Sequence, residues 1–325
     1  MNYRTFDNVK VSEVGLGCWQ IGGEWGQVSD RDAEAIVHAS LDAGVTFFDT
    51  ADVYGLGRSE TILGRVLASR SEKPFVATKL GRFPKPGWPA NFTLATMRGH
   101  TEASLGRLGV DVLDLTQLHC VPTKVMREGA VFDHLRTLRD EGKIRRFGAS
   151  VESMDEALLC LEQEGLASLQ IIFNIFRQKP IWTLFEQARA RGVALIVRLP
   201  LASGLLAGKF KADTAFARDD HRTYNRDGQA FNVGETFAGL PFEKGLELVE
   251  TIRPLTPAGI TMAQMAMRWI LDHPEVTVVI PGATRVEQAK GNAACSDLPP
   301  LPADMHEQLR RVHDQQVAPH IRGPY

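Results

Sequence analysis

Asp49, Tyr54, Lys79 and His119 each stand at or just beyond the end of a short apolar run, and together they could move a proton. In VTFFDTADVYG, residues 45–55, a β-branched and aromatic run ends in Asp49 and delivers Tyr54 five residues on. PFVATK ends in Lys79 and VDVLDLTQLH ends in His119. A free phenol titrates near pH ~10, too high for easy proton exchange at neutral pH. A neighbouring ammonium favours the phenolate and lowers that value, and a carboxylate behind the ammonium keeps it charged. An imidazole beside them orients a carbonyl oxygen. Reduction of that carbonyl needs a hydride, which side chains do not supply, so a cofactor is implied. Taken singly, each residue has a blander use: a solvated lysine, a histidine with a local hydrogen bond, an Asp-Thr cap, a half-buried tyrosine. The joint pattern argues otherwise. Of the four tyrosines, Tyr3 falls in an N-terminal hairpin and Tyr325 ends the chain, which leaves Tyr54 better placed than Tyr224.

The elements that must carry these residues alternate along the whole sequence. After a hairpin over residues 3–11, turning at Asp7-Asn8, EVGLG is the first of eight short strands. The others are VTFFD, PFVATK, VDVLDLTQLH, IRRFGAS, SLQIIFN, VALIVR and VTVVIPG, with amphipathic helical segments between them. Helix punctuation is clear: Ser/Asp before residues 31–43 with Gly44 after, Gly142 closing another helix, and capping boxes expected at Ser153–Glu156 and Thr284–Glu287. TRVEQAKGNAAC is read as the last helix. Strands apolar on both faces, alternating with helices, predict parallel βαβ units. The first strand-to-helix turn, GLGCWQIGGEWG, is glycine-rich but is not a GxGxxG opening a helix, which argues against a doubly wound dinucleotide fold. The fold class expected is α/β: a (β/α)8 TIM barrel with an N-terminal β-hairpin and a long loop after strand seven. In such a barrel the strand ends share one rim, where active sites assemble. Asp49, Lys79, Gln117, His119, Ser150, Gln170, Asn174 and Arg198 all fall there.

Composition narrows the partners. The 325 residues are 44% hydrophobic and 23% charged, with a net charge of −2. Nothing suggests nucleic acid or an anionic membrane surface. No apolar run nears the ~20 residues of a membrane helix, and the N-terminus lacks a signal-peptide core. Cys18, Cys120, Cys160 and Cys295 are scattered, with no CxxC, so a reducing cytoplasm is expected, without a disulfide framework or zinc site. No metal is expected, since no His-x-His ends a strand. No linker composition interrupts residues 1–325, read as a single domain.

The sequence resembles the aldo-keto reductase family over essentially its whole length. The resemblance rests on GLGCWQ, FFDTADVYGLGRSE, VATK, QLH, GAS, QIIFN, PLASGLLAGK and IPGATRVEQAKGNA, in the family's order. It implies a catalytic tetrad of Asp49, Tyr54, Lys79 and His119, with Tyr54 as general acid in NADPH-dependent carbonyl reduction of a small molecule. It also implies a cofactor site. Ser150 and Gln170 match positions that hold the nicotinamide carboxamide, and Trp19 matches a residue beside the nicotinamide. Leu201, Ser203, Gly204 and Lys209 match the pyrophosphate segment. Gly282, Thr284 and Arg285 open the last helix, where N–H groups and the helix dipole favour an anion, here the 2′-phosphate of NADP. Gln288 and Asn292 follow toward the adenine.

Three positions depart from many relatives: Val151 where an asparagine is usual, Arg198 where an aromatic stacks on the nicotinamide, and Gly291 in place of a side chain near the adenine. Arg198 is expected to contact the cofactor, its planar guanidinium standing in for the missing ring or its fork bonding a phosphate or a substrate hydroxyl; the alternative is a pair with a neighbouring carboxylate that serves only the barrel rim. Residues 211–241, a loop too long to be a simple connection, carry His221, Arg222, Tyr224, Asn225 and Arg226. With Phe83, Trp88, His320 and Arg322 they suggest a lid for a small polar, sugar-like carbonyl compound. Two other functions stay open: an NADP-binding auxiliary subunit, and an alcohol or sugar dehydrogenase running in the oxidative direction. Oligomeric state is not legible.

Overall fold

The computed structural model describes residues 1–23, 25–26 and 28–325. A first hairpin pairs β1 (Tyr3–Phe6) with β2 (Val9–Ser12), antiparallel, and Asp7 turns it with φ 53°. Eight parallel strands follow: β3 (Leu16–Gly17), β4 (Phe47–Asp49), β5 (Phe75–Leu80), β6 (Leu115–His119), β7 (Phe147–Ser150), β8 (Leu166–Ile172), β9 (Ala194–Arg198) and β10 (Val276–Val279). Each pairs with the next in sequence order from β3 to β10. The sheet then closes on itself through parallel bridges Val14–Val279 and Gly17–Gly282, with Gly15 N–H donating to Val279 O at 2.8 Å and Gly17 N–H to Pro281 O at 3.0 Å. A side chain at Gly17 would put its Cβ 2.7 Å from Ile280 O, so the seam demands glycine there.

Alternation along the strands sorts the core into two clusters, as the period of two requires. Phe48, Val76, Leu118, Ala149, Leu169, Leu195 and Val197 pack outward under the helices. Phe47, Phe75, Ala77, Leu115, Ala194, Ile196 and Val278 pack with Phe6 and Val11 of the hairpin, which therefore plugs the barrel interior. One or two strand positions further along that inward face, the apolar residues give way to Asp49, Lys79, Gln117, His119, Ser150, Gln170 and Arg198.

The eightfold βα barrel, its hairpin and the long loop after β9 stand as expected. Several local expectations are corrected. The strand read over 110–119 begins at Leu115, and the helix read over 181–192 is broken at Leu184 into Pro180–Thr183 and Phe185–Ala190. The capping box at Thr284–Glu287 does not form: Arg285 is the N-cap without a side-chain bond, and Thr284 N–H donates to Gln288 Oε1 at 2.7 Å. At Ser153 the cap is half realised, since Glu156 Oε2 accepts from Glu152 N–H instead. A helix at Ala303–Val312 follows the one expected to be last; Pro302 starts it, and Met305, Leu309 and Val312 give it an inward stripe.

Phe6 is fully buried, its ring 4.9 Å from that of Phe75 and 6.1 Å from that of Phe47. Phe6→Ala should cost about 3–5 kcal/mol in chemical denaturation. A loss under ~1 kcal/mol would mean the plug contributes little to the barrel.

Candidate active site

The buried charge pair at the rim is made first by register. β4 and β5 pair Asp49 with Ala77, and β5 and β6 pair Lys79 with Gln117, so Asp49, Lys79 and Gln117 project into one polar layer. Lys79 Nζ lies 2.5 Å from Asp49 Oδ1 and also donates to Thr50 O at 2.8 Å. Its third partner is the Tyr54 hydroxyl at 3.3 Å. Asp49 Oδ2 accepts from the amides of Gln117 at 3.1 Å and Gln170 at 2.7 Å. Gln117, flagged above only as a strand end, is therefore part of this network.

Tyr54 is delivered by the turns after β4 that lead into the helix Arg58–Ala68. Its backbone is pressed by the turn at Trp19–Gly22: a Cβ on Gly22 would come within 2.6 Å of Tyr54 C. The phenol ring stacks near Trp19 at 6.0 Å and meets His119 edge-on at 5.6 Å. Burial pushes the Tyr54 hydroxyl up to about 12, against the pull of Lys79. The net direction is opposite to the one argued from sequence, because desolvation outweighs the ammonium. Burial would discharge Lys79, but Asp49 and Tyr54 more than offset it and hold its pKa above the ordinary lysine value. Burial, joined by the charges of Lys79, Arg82 and Arg198, keeps His119 well below its ordinary value and hence neutral at pH 7.

A cavity of about 560 Å³ opens above this layer. Tyr54, His119, Trp19, Ser150, Gln170, Arg198, Leu201, Ser203, Gly204, Lys209, Gly282, Thr284, Arg285 and Gln288 all reach its wall, with Asp49, while Lys79 sits beneath. Asn292 does not line it: its side-chain amide donates to Gly282 O at 3.2 Å and so supports the wall from behind. Ser203 and Gly204 are both left-handed, with φ 56° and 98°, and the Ser203 hydroxyl is turned away to bond Glu235 O at 2.9 Å. Lys209 and Arg285 are exposed, and their side chains make no hydrogen bond or ion pair among the described residues. These two cations, a left-handed turn and the helix start at Val286 fit the phosphates of a dinucleotide.

Arg198 lines the cavity and takes the alternative of a carboxylate pair at the rim. Its guanidinium is committed to Glu235 at 2.5 Å and to Val151 O at 3.0 Å. Cys120, Glu152 and Glu235 bring ligand-type atoms within 4.8 Å of one another, but the Arg198 guanidinium is the cation among them, 3.6 Å from Cys120 Sγ. The tail residues His320 and Arg322 do not line the cavity; Arg322 pairs with Asp227 at 2.7 Å. Phe83 and Trp88 do not line it either, and of the loop set only Arg222 does, while His221 packs its ring 4.9 Å from Trp19 behind the wall. Sequence reasoning missed Arg82, Trp25, Cys120, Phe231 and Glu235, which do line it. Trp25 stands in the glycine-rich turn after the first strand and Arg82 three residues beyond Lys79; Phe231 and Glu235 carry no signal in a loop without periodicity.

The profile of the Aldo/keto reductase family matches residues 13–314. The chain belongs to the aldo/keto reductase family. An uncharacterized oxidoreductase of Mycobacterium tuberculosis is 32% identical over 310 residues, covering 92% of this chain and 88% of that protein. A protein named as an NADP(+) aldo-keto reductase in Schizosaccharomyces pombe is 27% identical, covering 89% and 85%. Among solved structures, a glycerol dehydrogenase from Gluconobacter oxydans superposes with TM-score 0.77 at 29% identity, covering 99% of this chain and 97% of that one. Membership makes this aldo/keto reductase an oxidoreductase of carbonyl and alcohol groups, in a family that uses NADP(H). No helix among its described residues is long and apolar enough to cross a membrane.

One group of the site motif is unused by this network. Asp52 is fully buried, and burial with the nearby Glu60 carboxylate pushes it up to about 8, against Arg107, the Val53 N–H and Lys79. His100 Nδ1 lies 4.0 Å from its carboxyl. The unfolded chain releases this proton near pH ~4. Asp52 thus contributes stability fully below that value and loses it as pH climbs toward the folded pKa. Asp52→Asn should match the wild-type melting temperature near pH ~4 and exceed it by a widening margin up to pH ~8. A gap independent of pH would rule out a buried neutral carboxyl.

Proposed function

We propose that this aldo/keto reductase reduces a small polar aldehyde or ketone to its alcohol with NADPH, Tyr54 donating the proton. The observation that carries the reading is the Tyr54 hydroxyl on the cavity wall, 3.3 Å from a lysine locked on Asp49. The cofactor, when bound, supplies the hydride to the carbonyl carbon. The Tyr54 O–H gives its proton to the carbonyl oxygen as negative charge develops there. The Lys79 ammonium stabilises the phenolate left behind and stays protonated, and Asp49 with Gln117 and Gln170 keeps it in place. Neutral His119 is suited to hydrogen-bond the same oxygen. The Tyr54 hydroxyl, pushed up to about 12 by burial, carries its proton at neutral pH, as the acid role requires.

The cofactor would run along the ends of β9, β10 and the following turns. Trp19, Ser150 and Gln170 are assigned to the nicotinamide end. Leu201, Ser203, Gly204 and Lys209 are assigned to the pyrophosphate, Gly282, Thr284 and Arg285 to the adenosine 2′-phosphate, and Gln288 toward the adenine. Arg198 keeps a place on the wall, without the stacking role, since its guanidinium already has partners. The NADP(+) named for the Schizosaccharomyces pombe relative supports this choice. The Gluconobacter oxydans relative, titled a glycerol dehydrogenase, supports a small hydroxylated substrate.

Tyr54→Phe keeps the ring and removes the proton, so turnover in an aldehyde panel followed by NADPH absorbance should fall about 10²–10⁴-fold. NADPH binding should be nearly unchanged. A Tyr54→Phe variant as fast as wild type would remove Tyr54 from the proton transfer, and tight NADPH binding with no turnover by wild type would favour an auxiliary subunit. Arg285→Ala removes a charge-assisted contact and should weaken NADPH binding about 10- to 100-fold while leaving NADH little altered. Equal losses for both cofactors would take Arg285 off the 2′-phosphate.

A further inference from the structure

Four arginines reach the cavity wall: Arg82, Arg198, Arg222 and Arg285. Arg285 belongs to the start of the last barrel helix. Arg198 is neutralised by Glu235, and Arg222 by Asp220 at 2.6 Å. Arg82 is half-buried and makes no ion pair or hydrogen bond among the described residues. Its guanidinium lies over the ring of Phe231, 5.8 Å from the centroid. Phe231 is 6.3 Å from Trp19, Trp19 is 6.0 Å from Tyr54, and Tyr54 is 5.6 Å from His119. An uninterrupted aromatic surface therefore joins a cation with no ion-pair partner among the described residues to the proton donor.

The cation is also held in position. Arg82 follows Gly81, whose carbonyl accepts from the Trp88 indole at 2.5 Å and from the Asn91 amide at 3.1 Å. The same amide donates to Phe83 O at 2.7 Å, so both neighbours of Arg82 are fixed. Among the described residues the nearby carboxylates have other partners: Asp49 is used by Lys79 and Glu235 by Arg198, while the Arg82 charge acts on Glu152 only at longer range. Glu152, the remaining carboxylate nearby, is tied to Asn232 at 3.2 Å and is held above its ordinary range by burial and by Glu235.

We propose that Arg82 is a specificity-determining residue, and that the preferred carbonyl substrate carries an anionic group, a carboxylate or a phosphate, which this guanidinium binds while the carbonyl oxygen rests at Tyr54. The inference rests on the reductase reading and names its substrate class. A planar guanidinium takes either oxyanion in a bidentate manner, which an ammonium does not.

The test compares charged and neutral aldehydes of matched shape: 4-carboxybenzaldehyde against 4-nitrobenzaldehyde, and glyceraldehyde 3-phosphate against glyceraldehyde. Arg82→Met should lower kcat/KM about 10- to 100-fold for the charged member, mainly through KM, with the neutral member little changed. Arg82→Lys should recover only part of the loss. The pair that shows the effect identifies carboxylate or phosphate. Equal effects on charged and neutral members, or none on either, would overturn the proposal. A second readout separates it from the reductase reading. Trp19 and Trp25 line the cavity, so quenching of tryptophan fluorescence by 4-carboxybenzyl alcohol or glycerol 3-phosphate, with NADPH present, reports anion binding without turnover. Binding weakened by Arg82→Met in a protein that reduces no aldehyde would support the anion site and sink the reductase reading. Undiminished binding in the variant would sink the anion site alone.

Discussion

The Asp49–Lys79 pair, 2.5 Å apart with both side chains almost fully buried, is the constraint on which the upper half of the barrel depends. Two charges taken out of water are tolerated only when each lone pair and proton finds a partner. Here Lys79 spends its three protons on Asp49, Thr50 O and Tyr54, and Asp49 spends its second oxygen on two amides from β6 and β8. Five elements are tied to one ion pair. Its orientation is one-sided: of the three partners of Lys79, the phenol alone brings a transferable proton to the cavity wall. The energy invested in satisfying the pair thus also aims the ammonium at Tyr54.

Below this layer the barrel interior is apolar, and the hairpin closes it. The same inward face is greasy at Phe47, Phe75 and Leu115 and charged at Asp49 and Lys79, only two to four residues along each strand. A closed barrel permits this because strand pairing satisfies every backbone group and lets the side chains of eight strands meet at one level. The polar layer is therefore dry from beneath and open only above. That dryness is what pushes the Tyr54 hydroxyl up and the His119 imidazole down.

The fold, and the gathering of Asp49, Lys79 and His119 at one rim, were legible in sequence for a simple reason. A mostly apolar strand announces the polar residue at or near its end, plainly at Asp49 and Arg198 and less sharply at Lys79 and His119, whose strands also carry Thr78, Thr116 and Gln117. What could not be read depends on distances between loops. Glu235 has no periodicity around it to distinguish it from any loop glutamate, yet it decides what Arg198 does. Asn292 sits on the correct face of its helix, but the Gly282 carbonyl is nearer than the cavity. The shift of Tyr54 was a contest between burial and the ammonium; sequence supplies the identity of the competitors but not the depth of burial.

The two departures from the family at β7 and β9 meet in space, since Arg198 donates to the carbonyl of Val151. An aromatic ring at 198 would present a flat face to the cavity and bond nothing. An arginine there brings a buried charge that must be neutralised, and Glu235 supplies the carboxylate from the long loop. The Ser203 hydroxyl fastens the same stretch, accepting from Phe237 N–H at 3.2 Å and donating to Glu235 O. Asn225 braces its other side, its side-chain oxygen taking the N–H groups of Ala230 and Phe231 at 2.9 Å each. The polar residues of residues 211–241 are thus largely consumed in holding the loop against the strand ends. What the loop turns to the cavity is Arg222, Phe231 and Glu235, and of these Phe231 alone carries no charge already answered by a neighbour. From Tyr54 through Trp19 to Phe231 the cavity wall is consequently aromatic, and it ends at the Arg82 guanidinium over the Phe231 ring.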